Sequence, residues 1–146
     1  MFLFPRKQKT NSIGAVLGDG AFAFTIVGVS HYQNDISSIV RGKTEKGHKH
    51  YCAALLSPEP TNPDERKAII VTIRNRTVGY LSRSHCDEFR NALQESGYPA
   101  AACEALICGG WRRSGYDEGD FDVKLNAILP FKIVGSSEYW AHKQFQ

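Results

Sequence analysis

The strict alternation of residues 121–127 constrains this chain most. Phe121, Val123, Leu125 and Ala127 alternate with Asp122, Lys124 and Asn126. Successive side chains of a strand point to opposite faces, so such a run has one face in a core and one in water. A helix would scatter the same apolar residues around its circumference. Residues 69–74 repeat the pattern, with Ile69, Val71 and Ile73 alternating with Ile70, Thr72 and Arg74. Asn75 and Arg76 read as hairpin-turn residues, and TVGYL as the returning strand.

Other strands follow from content. FAFTIVGV, residues 22–29, is rich in aromatic and β-branched residues and reads as a core strand. Gly28 inside it marks a bulge or a close backbone approach. HKHYCAALL (48–56), CEALICGGW (103–111) and a short FKIV (131–134) complete the set. Two helices punctuate them. Asn34 or Asp35 caps a short one whose Ile36, Ile39 and Val40 share a face, and Gly42 ends it. Ser84 and Asp87 form a capping-box pattern for the main one, which buries Cys86, Phe89 and Leu93 and stops at Gly97. The expectation is a mainly β, α+β fold: a small, closed or partly closed barrel of six to seven strands with one main and one short helix. Residues 1–20 read as a lead-in, 21–135 as the barrel domain, and 136–146 as a tail.

Composition bounds the function. The 146 residues are 42% hydrophobic and 23% charged, which fits one soluble domain. No apolar run approaches the roughly 20 residues that cross a bilayer. The start, MFLFPRKQKTNS, places its apolar residues before its charges, the reverse of a secretory signal. A cytoplasmic protein with no membrane partner is expected. Cys52, Cys86, Cys103 and Cys108 have no CxxC spacing and read as free thiols. The net charge is +3 and the pI about 8.7. A polyanionic partner is allowed by these values and not required by them.

Chemistry-bearing residues are few. His48, His50 and Cys52 share one strand face, but a closed zinc site needs a fourth ligand and none is evident. His85 adjoins Cys86, yet helical neighbours in sequence do not face each other. Neither a cofactor nor catalysis is expected.

Four pieces resemble one known family in its order: VGVSHYQ (27–33), SPEPTNPDERKAIIV (57–71), VGYLSR (78–83), and the GGW hairpin with its return strand (109–125). The family is the HIRAN domain, found in fork-remodelling helicases of the SWI/SNF type and as stand-alone bacterial proteins. The resemblance implies an OB-like barrel that holds single-stranded DNA or its 3′ end in repair or stalled-fork processing, alongside a helicase or nuclease partner protein. The chain has no Walker A motif, so the binding module comes without the motor. Carried over by position, Ser30, His31 and Tyr32 meet phosphate and base. Asn62 forms the rigid turn with Pro63. Asp64 and Glu65 stand where a terminal sugar hydroxyl is received. Tyr80 and Arg83 follow the second VG, and Phe121 opens the return strand. Ser30 has lost the family's positive charge, and Glu65 replaces its usual acid.

Such a site has two sequence-tolerant terms. Aromatic faces stack on bases, a role open to Tyr32, Tyr80 and Phe121. Cations neutralise phosphates, a role open to Arg83, Lys49, Arg112 and Arg113. An ionised carboxylate accepts a hydrogen bond from a free hydroxyl and repels a phosphate. Plainer readings stand beside these: Tyr32 as a rim aromatic, Asp64 to Lys67 as a solvated turn, Asn62 as a turn support, Arg112 and Arg113 as solvated charges, Trp111 as core. A protein-interaction module using the same groove for a peptide or acidic partner is the alternative.

Overall fold

The long strand β3 (His48–Pro58) organises the sheet. The computed structural model describes residues 12–59 and 68–143. Over residues 48–56 β3 pairs antiparallel with β6 (Ala101–Gly109), and over residues 55–58 with β4 (Ile69–Ile73). β4 turns back into β5 (Arg76–Tyr80), and β6 into β7 (Phe121–Leu125). A two-residue β2 (Phe24–Thr25) lies on β7. The order is therefore β2-β7-β6-β3-β4-β5. The expected alternation holds in β4 and β7, where every second residue is buried.

The two edges of this sheet meet. Val27, just past β2, pairs with Tyr80, the last residue of β5. The Val27 N–H donates to the Tyr80 carbonyl at 2.8 Å, and the Tyr80 N–H to the Val27 carbonyl at 2.9 Å. The curled sheet becomes a partly closed, OB-like barrel at this seam. Gly79 makes the approach possible. A Cβ there would lie 2.7 Å from the Val27 oxygen and 2.9 Å from Ile26 Cδ1.

Helices plug the curl. α1 (Gln33–Val40) contributes Ile36 and Ile39 to the core. α2 (Arg83–Ser96) contributes Cys86, Phe89 and Leu93 at the expected spacing. These pack with Val71, Val78, Ile107, Val123 and Leu125. Each large side chain so buried is worth roughly 1.5–3 kcal/mol. α2 ends as expected, with Gly97 in the left-handed region at φ 83°.

Several expectations need correction. The strand expected over 22–29 is interrupted: only Phe24 and Thr25 pair in a ladder, and Gly28, at φ 81°, turns the chain into a 3₁₀ turn over Val29–Tyr32. The hairpin turns at Arg74 and Asn75, both with positive φ, one residue earlier than expected and of the kind that suits strand twist. Neither expected residue caps α1, which follows Tyr32 directly. The main helix starts after Ser82 rather than Ser84.

The expected lead-in and tail both carry structure. β1 (Gly14–Val16) lies parallel to β6 and antiparallel to β8 (Ile133–Val134), so the described residues form eight strands rather than six or seven. The buried Asn126 accepts from the Gly20 N–H at 2.8 Å and leaves no room for a Cβ at Gly18. Residues 136–143 form α3 (Ser136–Lys143), which buries no residue of its own. It docks through Glu104, whose carboxylate accepts from the Tyr139 hydroxyl, the Lys143 ammonium and Asn126 Nδ2. Burial alone would raise the Glu104 carboxyl, but these bonds and the Lys143 charge hold it below the usual range. No helix among the described residues is long and apolar enough to cross a membrane.

The seam yields a direct stability test. Gly79→Ala forces a methyl against the Val27 carbonyl and should destabilise the fold by about 1–3 kcal/mol, read as a lower urea midpoint. An unchanged midpoint would mean that the seam tolerates a wider approach.

Candidate functional site

The site is built where the seam meets α1. The glycine turn at 28 sends the chain outward, and the His31 N–H closes it on the Gly28 carbonyl at 3.0 Å. Val29 is buried and anchors the turn, while Ser30 and His31 are exposed. Tyr32 is half-buried at the junction with α1. Gln33 fixes that junction. Its amide donates to the Val29 and Phe121 carbonyls, both at 3.1 Å, and accepts from the Phe121 N–H at 2.8 Å. This side-chain clamp ties the turn to the start of β7.

Tyr80 comes to the same place from β5. Its ring centroid lies 6.4 Å from that of Tyr32, with the planes tilted by 50°. Its hydroxyl donates to Glu59 Oε2 at 3.2 Å. Glu59 is held in turn at the end of β3, its N–H on the Ala68 carbonyl at 3.0 Å. Burial, then the Tyr32 and Glu59 side chains beside it, push the Tyr80 phenol far above its ordinary range. The hydroxyl therefore stays protonated and remains a donor at neutral pH.

Three residues beyond Tyr80, Arg83 opens α2 and is exposed. Among the described residues it has no ion-pair partner. No side chain caps this helix start and no acid stands in its first turn. The Ser82 hydroxyl is instead 2.8 Å from His85 Nδ1 and 3.1 Å from the Ser84 hydroxyl. The positive end of the helix dipole is thus open beside an arginine.

The remaining expected residues fall elsewhere. Phe121 is 4% exposed. Its ring lies 5.7 Å from that of His48 and over Gly110, where a Cβ would collide with it. It supports the Gln33 clamp and presents no face to a base. Lys49 is exposed on β3 opposite Cys108. The row from Tyr80 runs through Ile70 to Ser57, eight residues further along β3, roughly 26 Å of extended strand. Arg112 and Arg113 are neutralised within their own hairpin, by Glu118 at 3.2 Å and Asp117 at 3.3 Å. Lys43 reaches Glu118 too, at 2.8 Å. Trp111 is not core: it lies over Gly119, donates to Asp117 at 3.1 Å, and carries Arg113 5.6 Å above its ring. Asn62, Asp64 and Glu65 lie outside the described residues.

Sequence reasoning missed Gln33 and Glu59. Gln33 closes the VGVSHYQ piece, and its amide follows the tyrosine directly. Glu59 precedes Pro60 and reads as turn chemistry until Tyr80 is seen against it.

His48, His85 and Cys86 are each engaged by other groups. Among the described residues no three His, Cys, Asp or Glu side chains gather as a metal site. His48 Nε2 is engaged with the Gly42 carbonyl at 2.7 Å. His85 lies against Phe24 and Phe131, while the Cys86 thiol turns to the Leu81 and Ser82 carbonyls. No protein-family model, curated protein or solved structure matches this chain.

The Tyr80 environment has a spectroscopic consequence. In an alkaline titration, the phenolate signal lost in Tyr80→Phe should appear only well above pH 10, the ordinary tyrosine value. Because the folded pKa is the raised one, the associated stability is present below the ordinary value and is lost as pH rises through the folded one. A Tyr80 signal at the ordinary value would contradict the burial of this phenol and its contacts with Tyr32 and Glu59.

Proposed function

We propose that the seam binds single-stranded nucleic acid, and single-stranded DNA in the first place, without catalysis. The observation that carries this reading is the meeting of Tyr32 and Tyr80 outside the core. Two tilted rings at a rim offer faces to unpaired bases, each worth about 1–3 kcal/mol. Arg83, with no ion-pair partner among the described residues, and the open start of α2 supply positive potential for phosphates. The hairpin arginines contribute little to that potential, since their charges are already met.

The resemblance to the HIRAN domain supports the same place. Residues 27–33 and 78–83, its first and third pieces, are the two segments that make the seam. The finer reading follows from that resemblance: a stand-alone cytoplasmic module that favours 3′ ends in repair or at stalled forks, working with a helicase or nuclease. Glu65 and Asn62 are the residues it assigns to the strand end.

Fluorescence anisotropy tests the reading with a 5′-labelled, mixed-sequence single strand carrying either a 3′-hydroxyl or a 3′-phosphate. Wild-type protein should bind, more weakly as salt rises, and Tyr32→Ala should weaken binding roughly tenfold, the size of one lost stack. A preference for the hydroxyl form supports end recognition; equal binding leaves a general single-strand groove. No binding of either form at low salt points instead to the protein-interaction alternative.

A further inference from the structure

A second feature adjoins the seam. A cleft of about 570 Å³ runs along the outside of α2, walled by Pro58 and Tyr98. Its helical side carries Asp87, Arg90, Asn91 and Gln94. With Arg83 these recur at i, i+4, i+7, i+8 and i+11, one face of the helix. The stripe therefore starts at the arginine beside the tyrosine pair and leads into the cleft. On the other wall, Pro58 precedes Glu59, the residue bonded to Tyr80. Both walls connect the cleft to the site.

Arg90 is the unexplained residue in it. Its Nε is buried and has no hydrogen-bond partner. Buried donors are nearly always paired, and a guanidinium has a fork that matches the oxygens of a phosphate or carboxylate. Asp87 lines the same cleft, and no hydrogen bond or ion pair joins it to Arg90 among the described residues. Asn91 and Gln94 add amide donors without charge. From Arg83 to Arg90 the helix rises about 10 Å, a short distance for a strand that leaves the tyrosines along this face.

We propose that this cleft takes a backbone phosphate of the strand held at the seam, with Arg90 as its forked donor. The inference rests on the single-strand reading and extends it from two stacked bases to a track along α2. The strand's direction is set by the helix: bases at Tyr32 and Tyr80, first phosphates at Arg83, a later phosphate at Arg90.

Anisotropy over a salt series tests it, using single-stranded DNA from a dinucleotide upward in stepwise length, with wild type, Arg90→Gln and Arg90→Lys. Arg90→Gln should leave the dinucleotide unaffected. On longer strands it should weaken binding several-fold and reduce the slope of log K against log salt by about 0.7, the value of one phosphate contact on a single strand. Arg90→Lys should keep the slope while losing part of the affinity, since it retains the charge without the fork. Wild-type affinity and slope for Arg90→Gln on every length, with binding still lost in Tyr32→Ala, would overturn the track and leave the seam reading intact. No binding of any length by wild type at low salt would overturn both.

Discussion

Two backbone hydrogen bonds between Val27 and Tyr80 decide what this sheet becomes. Without them β2 and β5 would be open edges, each a row of unmet donors and acceptors. With them the curl closes and α1 is brought over one end. The pairing demands a residue without a side chain at Gly79, and a left-handed residue at Gly28 to turn the chain away afterwards. Structure and site thus depend on the same few residues. Tyr80 holds the seam through its backbone and faces Tyr32 through its ring.

Charge is distributed with the same economy. The hairpin after β6 is densely charged, yet Lys43, Arg112 and Arg113 are met there by Asp117 and Glu118. Both carboxyls are pulled below their usual range, Asp117 first by hydrogen bonds from Trp111 and Arg113, Glu118 first by those from Lys43 and Arg112. A modest net charge therefore conceals an uneven surface. Arg83 and Arg90, which have no ion-pair partner among the described residues, lie on one helix that begins at the seam.

Local periodicity carried the fold reading far. β4 and β7 alternate because one face of each is core, and Cys86, Phe89 and Leu93 mark α2 by their spacing alone. What periodicity could not show was pairing between distant segments. β1 is three residues long and exists because Ala101 and Val134 lie beside it. α3 buries nothing and is held by Glu104, which stands 35 residues before Tyr139. Residues 22–29 have strand composition throughout, but only two of them find a ladder partner. The resemblance named Tyr32 and Tyr80 separately, and nothing local in the sequence showed that their rings meet. Phe121 was assigned a face that packing removes. Glu59 and Gln33 act through residues far off in sequence, so no local pattern marks them.

The central claim is that strand binding occurs at the seam itself. Titrating isotopically labelled protein with a short single-stranded DNA, while following backbone amide NMR signals, tests that most directly. The account predicts that the largest shifts fall on Val27 to Gln33 and Gly79 to Arg83, with those of the hairpin at 112–118 nearly still. Shifts concentrated on the hairpin or on the outer face around Lys49, with the seam unmoved, would contradict it.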